Sequence, residues 1–297
     1  MLRRTVLIGP SRTWLADAIE AGGATAVTDV SEGPVDAVVW TDPRDPGRLR
    51  AVLDEHPDIA WVQLPWAGIE PFVPILDDDR VWTCGKGVYA DPVAEQALLF
   101  ALMGLRGMAT YAPATTWEPP EGRNLIGATV TIVGGGGIAQ SLVRLLEPFG
   151  ADVRVIRRSV APTLDDLDHL LPSTDVVVLA LPLTPETEGL FDERRLRLLP
   201  SHGWIVNVAR GGHIVTDDLV RVLADGAIGG AGLDVTDPEP LPDGHPLWAL
   251  PNCFISPHVG NTPEMAVPLL TARVRDNVRR FIAGEELIGR IDVEAGY

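Results

Sequence analysis

Short apolar runs recur along the chain, and between them apolar positions fall at helical spacing. Thr5–Gly9, Val35–Trp40, Ala60–Leu64 and Val81–Thr83 read as buried strands. Arg12–Ala21 reads as a helix, and Leu49–Glu55 and Ile69–Leu76 as helical or turn segments. Strands alternating with helices predict a parallel α/β sheet rather than a sandwich. At Asp91-Pro92 a helix opens, with Asp91 as N-cap and one apolar face formed by Ala94, Leu98, Leu102 and Leu105. A Pro-rich, irregular stretch from Tyr111 to Arg123 precedes a second series. Its strands are Thr129–Val133, Val153–Arg157, Asp175–Leu181, Gly203–Val208, Ala227–Val235 and Cys253–Ser256. Leu164–Leu171, Glu193–Leu198 and Asp217–Ala224 are the helices between them, and Pro263–Ile282 is a long last one.

The second series opens with the most informative stretch. Thr129–Val133 is a strand, four glycines follow, and an amphipathic run starts at Ile138. That is the strand, turn and helix start which a dinucleotide fingerprint requires. Gly134 makes the turn, Gly136 lets the backbone approach a diphosphate, and Ala139 is the third small position. Gly137 and Ile138 begin the helix whose free N–H groups favour an anion. An acid about 20 residues on would read the ribose hydroxyls of NAD. Here the next strand ends in Arg157, Arg158 and Ser159 instead. Two guanidiniums and a hydroxyl suit a 2′-phosphate, so NADP(H) is expected over NAD(H).

Ligands of open α/β sheets gather beyond strand carboxyl ends. Leu181 and Pro182 stand at one such end, Val208, Ala209 and Arg210 at another, and Asp234 at a third. Glu239 and His258 follow on loops just beyond. An arginine fork pairs with a carboxylate, and a histidine exchanges a proton near neutral pH. A neighbouring carboxylate favours the imidazolium and holds the ring. With a nicotinamide, these groups suit reduction of a 2-oxo acid.

Composition narrows the partners. The formal charge of −17 over 297 residues argues against nucleic acid or an anionic membrane. Cys84 and Cys253 alone suggest reduced thiols in a cytoplasmic protein, with no disulfide framework and no metal site. The start, Met-Leu-Arg-Arg, leads into too short an apolar run for a secretory signal. Lys86 is the only lysine.

From Val93-Ala94-Glu95 to Gly260 the chain resembles the D-isomer-specific 2-hydroxyacid dehydrogenases, which include glyoxylate/hydroxypyruvate reductases and phosphoglycerate dehydrogenases. The matching motifs are the Gly-rich turn, Leu-Pro-Leu-Thr-Pro-Glu-Thr, Asn-Val-Ala-Arg-Gly-Gly, Leu-Asp-Val-Thr-Asp-Pro-Glu-Pro-Leu-Pro and Ser-Pro-His. The resemblance implies two doubly wound parallel-sheet domains with the active-site cleft between them. A flavodoxin-like substrate domain would hold residues 1–92 and 283–297, and a Rossmann domain residues 93–282. His258 would be the acid/base, Glu239 its partner and Arg210 the carboxylate-binding residue. Asp234 would meet the nicotinamide carboxamide, Thr187 would lie near the cofactor phosphates, and Gly260 would also bind the cofactor. The loop Trp66-Ala67-Gly68-Ile69 would take the substrate carboxylate, with Lys86 facing the same cleft. A homodimer through the nucleotide domain and a small 2-oxo acid substrate complete the expectation. The alternative is a dinucleotide-sensing corepressor with little turnover.

Overall fold

The computed structural model describes residues 4–10 and 12–294; the Met1–Arg3 start and the last three residues of the expected substrate domain lie outside them. The chain divides into two compact units, residues 1–89 with 263–297, and residues 90–262.

In the first unit β1 (Thr5–Gly9), α1 (Thr13–Ala21), β2 (Thr25–Val27), β3 (Ala37–Trp40), α2 (Pro46–Glu55), β4 (Trp61–Gln63) and β5 (Val81–Thr83) follow one another. The five strands form a parallel sheet in the order β2-β1-β3-β4-β5. Alternation along each strand splits its side chains between two cores. Val6, Ile8, Ala37 and Val39 face α1, while Leu7, Val38 and Trp40 pack with Leu49 and Leu53 of α2. β2 is the strand that hydropathy missed: it is three residues long and only Val27 is buried.

The second unit holds α3 (Ala90–Leu105), α4 (Met108–Tyr111), β6 (Thr129–Val133), α5 (Gly137–Leu146), β7 (Asp152–Ile156), α6 (Leu167–Leu170) and β8 (Val176–Leu179). It continues with α7 (Glu193–Leu196), β9 (Trp204–Asn207), α8 (Thr216–Ala224), β10 (Gly230–Leu233) and β11 (Cys253–Ile255). Its six strands are parallel in the order β11-β10-β9-β8-β6-β7. The order reverses at β6, the strand that feeds the glycine turn, so β6 and β8 flank the switch point. One face packs on α3 and α5 through Ala94, Ala97, Phe100, Ala139 and Leu142; the other packs on α6, α7 and α8.

α9 (Pro263–Ala283) returns to the first unit, where Leu270, Val274 and Val278 pack with Leu15, Ile19 and Ala24. The unit boundary therefore falls ahead of this helix, whereas the sequence reading put it at 282. Asp91 also differs from expectation. It lies inside the first turn of α3, and its carboxylate accepts from Ser141 Oγ at 2.6 Å and Arg144 at 2.8 Å rather than capping. A side-chain partner on α5 displaces the local cap that sequence alone suggests.

Trp204 sets a tight constraint. A Cβ on Gly230 would stand 1.9 Å from its ring, and one on Gly104 2.3 Å from it. Gly230→Ala is expected to cost about 3 kcal/mol by overpacking. It should appear as a lower urea midpoint with an unchanged slope. No helix among the described residues is long and apolar enough to cross a membrane.

Candidate active site

Beyond β6 the chain turns at Gly134, whose φ of 122° favours glycine. A Cβ there would stand 2.1 Å from Ala180 O, so only glycine lets the turn pass the end of β8. Gly136 caps α5, and nothing lies within 4 Å of where its Cβ would be. The first N–H groups of a helix have no intrahelical acceptor, so those at the start of α5 suit an anion, beside the open space at Gly136. Ala139 is 1% exposed and packs in the core shared with α3. This cradle fits a dinucleotide diphosphate.

Arg157 leaves β7 beside that cradle. A Cβ on Gly135 would come 3.0 Å from Arg157 Cγ, so the arginine stem lies over the glycine turn. Arg158 and Ser159 follow, both exposed. Glu186 is held below the usual carboxylate range by the Thr184 hydroxyl, its own backbone N–H and the charge of Arg158.

The loop after β8 is fastened at Thr187, whose hydroxyl donates to Pro182 O at 2.9 Å and accepts from Thr184 N at 2.8 Å. Leu181 O and Thr187 O lie 3.1 Å and 3.0 Å from the two ring nitrogens of His213, which is fully buried. Sequence reading passed over His213 because nothing in Gly-Gly-His signals a partner over twenty positions away.

β9 delivers Val208, Ala209 and Arg210. Asn207 builds their turn: its amide donates to Arg210 O at 2.8 Å and its oxygen accepts from Ala209 N at 3.0 Å. A Cβ on Gly211 would lie 2.0 Å from the Thr236 backbone. The Arg210 turn and the loop leading to Glu239 are therefore in backbone contact. From that loop Glu239 Oε1 meets His258 Nδ1 at 2.7 Å.

His258 is the only described non-glycine residue with positive φ, at 55°. Its N–H donates to Asp234 O at 2.8 Å. The Asp234 carboxylate, 3% exposed, accepts from Ser256 Oγ at 2.6 Å and from the N–H groups of Val259 and Gly260, each at 2.9 Å. Gln96 Nε2 on α3 donates to Ser256 Oγ at 3.0 Å. Gln96 also escaped the sequence reading, because it lies 160 positions from its partner.

Arg210, Asp234, Glu239 and His258 thus share one edge of the second unit, with the glycine turn at the carboxyl end of the same sheet. Trp66, Ala67, Gly68, Ile69 and Lys86 belong to the first unit. There Trp66 O accepts from Gly85 N at 2.8 Å, and its ring lies 5.2 Å from that of Tyr89. Ile69 is buried, and Lys86 and Ala67 are exposed. Arg273 of α9 braces the same segment through the carbonyls of Cys84 and Lys86.

Burial pushes both free thiols up, Cys253 to about 12, so neither supplies a thiolate near neutral pH. Among the described residues no group of three His, Cys, Asp or Glu side chains is placed to hold a metal.

A family model described as D-isomer specific 2-hydroxyacid dehydrogenase, NAD binding domain, matches residues 96–260. The chain is similar to an uncharacterized protein in the proB 3′ region of Corynebacterium melassecola, 36% identical over 295 residues, 94% of this chain and 95% of that one. It is 34% identical over 255 residues to glyoxylate/hydroxypyruvate reductase A of Klebsiella pneumoniae strain 342, covering 82% and 77%. Among solved structures, an NADPH-dependent glyoxylate/hydroxypyruvate reductase from Sinorhizobium meliloti, in complex with NADP and sulfate, superposes with a TM-score of 0.81. That pair is 26% identical and covers 99% of this chain and 100% of the other.

Proposed function

Because this chain belongs to the D-isomer-specific 2-hydroxyacid dehydrogenase family, we propose that it reduces a small 2-oxo acid to the D-2-hydroxy acid with NADPH. The observation that carries the reading is the 2.7 Å His258–Glu239 pair on a loop in backbone contact with the Arg210 turn.

The cofactor, when bound, supplies hydride to the carbonyl carbon. Glu239 accepts the Nδ1 hydrogen of His258, so the proton that passes to the substrate oxygen leaves from Nε2. Arg210 binds the substrate carboxylate through its guanidinium fork. Gly134, Gly136, Gly137 and Ile138 hold the diphosphate, with Leu181, Pro182 and Thr187 beside it. Val208, Ala209, Asp234 and Gly260 border the nicotinamide end. Arg157, Arg158 and Ser159 take the 2′-phosphate, in keeping with the NADPH dependence of the Sinorhizobium meliloti protein. In the first unit the loop Trp66-Ala67-Gly68-Ile69, with its backbone N–H groups, and Lys86 are the substrate-binding candidates.

We assign a homodimer built on the second unit. Leu99, Ile126 and Val143 are large apolar side chains exposed there, and Trp117 is 101% exposed on the Pro-rich stretch. A second copy is the partner that would cover them.

The test is loss of nicotinamide absorbance with NADPH or NADH and a panel of glyoxylate, hydroxypyruvate, pyruvate, 2-oxobutyrate and phenylpyruvate. Turnover of glyoxylate or hydroxypyruvate with NADPH well above NADH is expected. No turnover, although NADPH raises the melting temperature by mass action, would overturn the reading. Arg210→Lys keeps the charge and loses the fork, so kcat/KM should fall about 30-fold, mostly through KM.

A further inference from the structure

Three successive N–H groups, those of His258, Val259 and Gly260, all donate to one residue, Asp234. The first is shared between its backbone oxygen at 2.8 Å and that of Ser256 at 2.9 Å, and the other two meet its carboxylate. This clamp holds His258 at its left-handed φ of 55°. Asp234 is buried, and its carboxylate is satisfied by donated hydrogen bonds. The fourth donor is the Ser256 hydroxyl at 2.6 Å.

A serine hydroxyl has one hydrogen and can send it in one direction only. The Gln96 amide donates to the Ser256 oxygen at 3.0 Å, and that approach leaves the hydroxyl hydrogen for Asp234. The three residues are closely packed: a Cβ on Gly260 would stand 2.9 Å from Asp234 Oδ2 and 3.6 Å from Gln96 Cβ. Donor follows donor from the Gln96 amide to the Ser256 hydroxyl to the Asp234 carboxylate, and the His258 turn hangs from the last.

We propose that Gln96 is a positioning residue for His258: it directs the Ser256 hydroxyl onto Asp234, and Asp234 so loaded clamps the turn that carries the proton-transfer ring. The clamp is a statement about this chain's own hydrogen bonds; its bearing on catalysis rests on the reductase reading above. The Gln96 amide meets Ser256, so it acts through the backbone of residues 256–260. Glutamate at 96 has nearly the same size but replaces the donor with an acceptor, and it competes with Asp234 for the one hydroxyl hydrogen. Ser256→Ala removes the relay, and Ser256→Thr keeps the hydroxyl.

Two readouts test this on the full chain. Amide hydrogen exchange of the segment spanning Ser256–Gly260 should be about tenfold faster in Gln96→Glu and Ser256→Ala, and unchanged in Ser256→Thr. With glyoxylate and NADPH, kcat should fall about tenfold in the first two variants, with KM within about twofold and Ser256→Thr at the wild-type rate. Faster exchange with no turnover in any chain, the wild type included, would support the clamp and remove the reductase reading. Wild-type turnover with Gln96→Glu matching it in exchange and rate would overturn the clamp. So would a Ser256→Thr chain as impaired as Ser256→Ala.

Discussion

Replacing His258 by alanine is expected to lower kcat with NADPH and glyoxylate by roughly 10³- to 10⁴-fold, the span attached to a lost general acid. The expectation rests on the proposed mechanism, in which the 2.7 Å contact with Glu239 fixes the ring through Nδ1 and Nε2 gives its proton to the substrate. NADPH affinity should hardly change, because the clamp on Asp234 is made by backbone groups of residues 258–260. Alanine is strained at a φ of 55°, at a cost of about 1 kcal/mol, whereas asparagine tolerates that region. His258→Asn is therefore the companion variant: equally inactive, with the turn preserved. Steady-state rates and a fluorescence titration of NADPH check both. A fully active His258→Asn chain would sink the proposed mechanism.

The second large effect concerns the cofactor. Arg157→Asp with Arg158→Ala should shift the NADPH-to-NADH ratio of kcat/KM by about 10³-fold towards NADH. Each charge-assisted hydrogen bond to the 2′-phosphate is worth about 1.5–3 kcal/mol, and the new carboxylate can accept from the ribose hydroxyls instead. Arg157 should account for most of the change, since it lies over the glycine turn while Arg158 shares its charge with Glu186. In a chain of formal charge −17 there is little background attraction to replace them. An unchanged ratio, measured with both cofactors at saturating glyoxylate, would remove these arginines from the cofactor site.

Local chemistry made much of this legible in the sequence. A run such as Thr129–Val133 reads as a buried strand, and four glycines after it make a turn that a side chain at Gly134 would obstruct. The two parallel sheets followed from alternation of such runs with amphipathic segments. Partners distant in the chain were not legible. Asp91 reads as a helix cap until Ser141 and Arg144 are beside it. Gln96 and His213 look like ordinary polar positions until the fold brings Ser256 to one and two loop carbonyls to the other. β2 escaped because an edge strand with one buried residue carries almost no hydropathy signal.

The division of the chain also bears on the order in which its cores can close during synthesis. The second unit is continuous, so every residue of its two cores exists once the ribosome has passed Thr262. The first unit is started earlier and finished later. Its sheet face at Val6, Ile8, Ala37 and Val39 gains part of its cover from Leu270, Val274 and Val278, which are made after the whole second unit. A nascent chain therefore carries an N-terminal sheet with one face covered only in part, by α1, while the unit inserted into it completes its fold. Domains that fold in order of translation normally do so from the N-terminus. Here the inserted unit has its full complement of residues first, and α9 closes the one that began the chain.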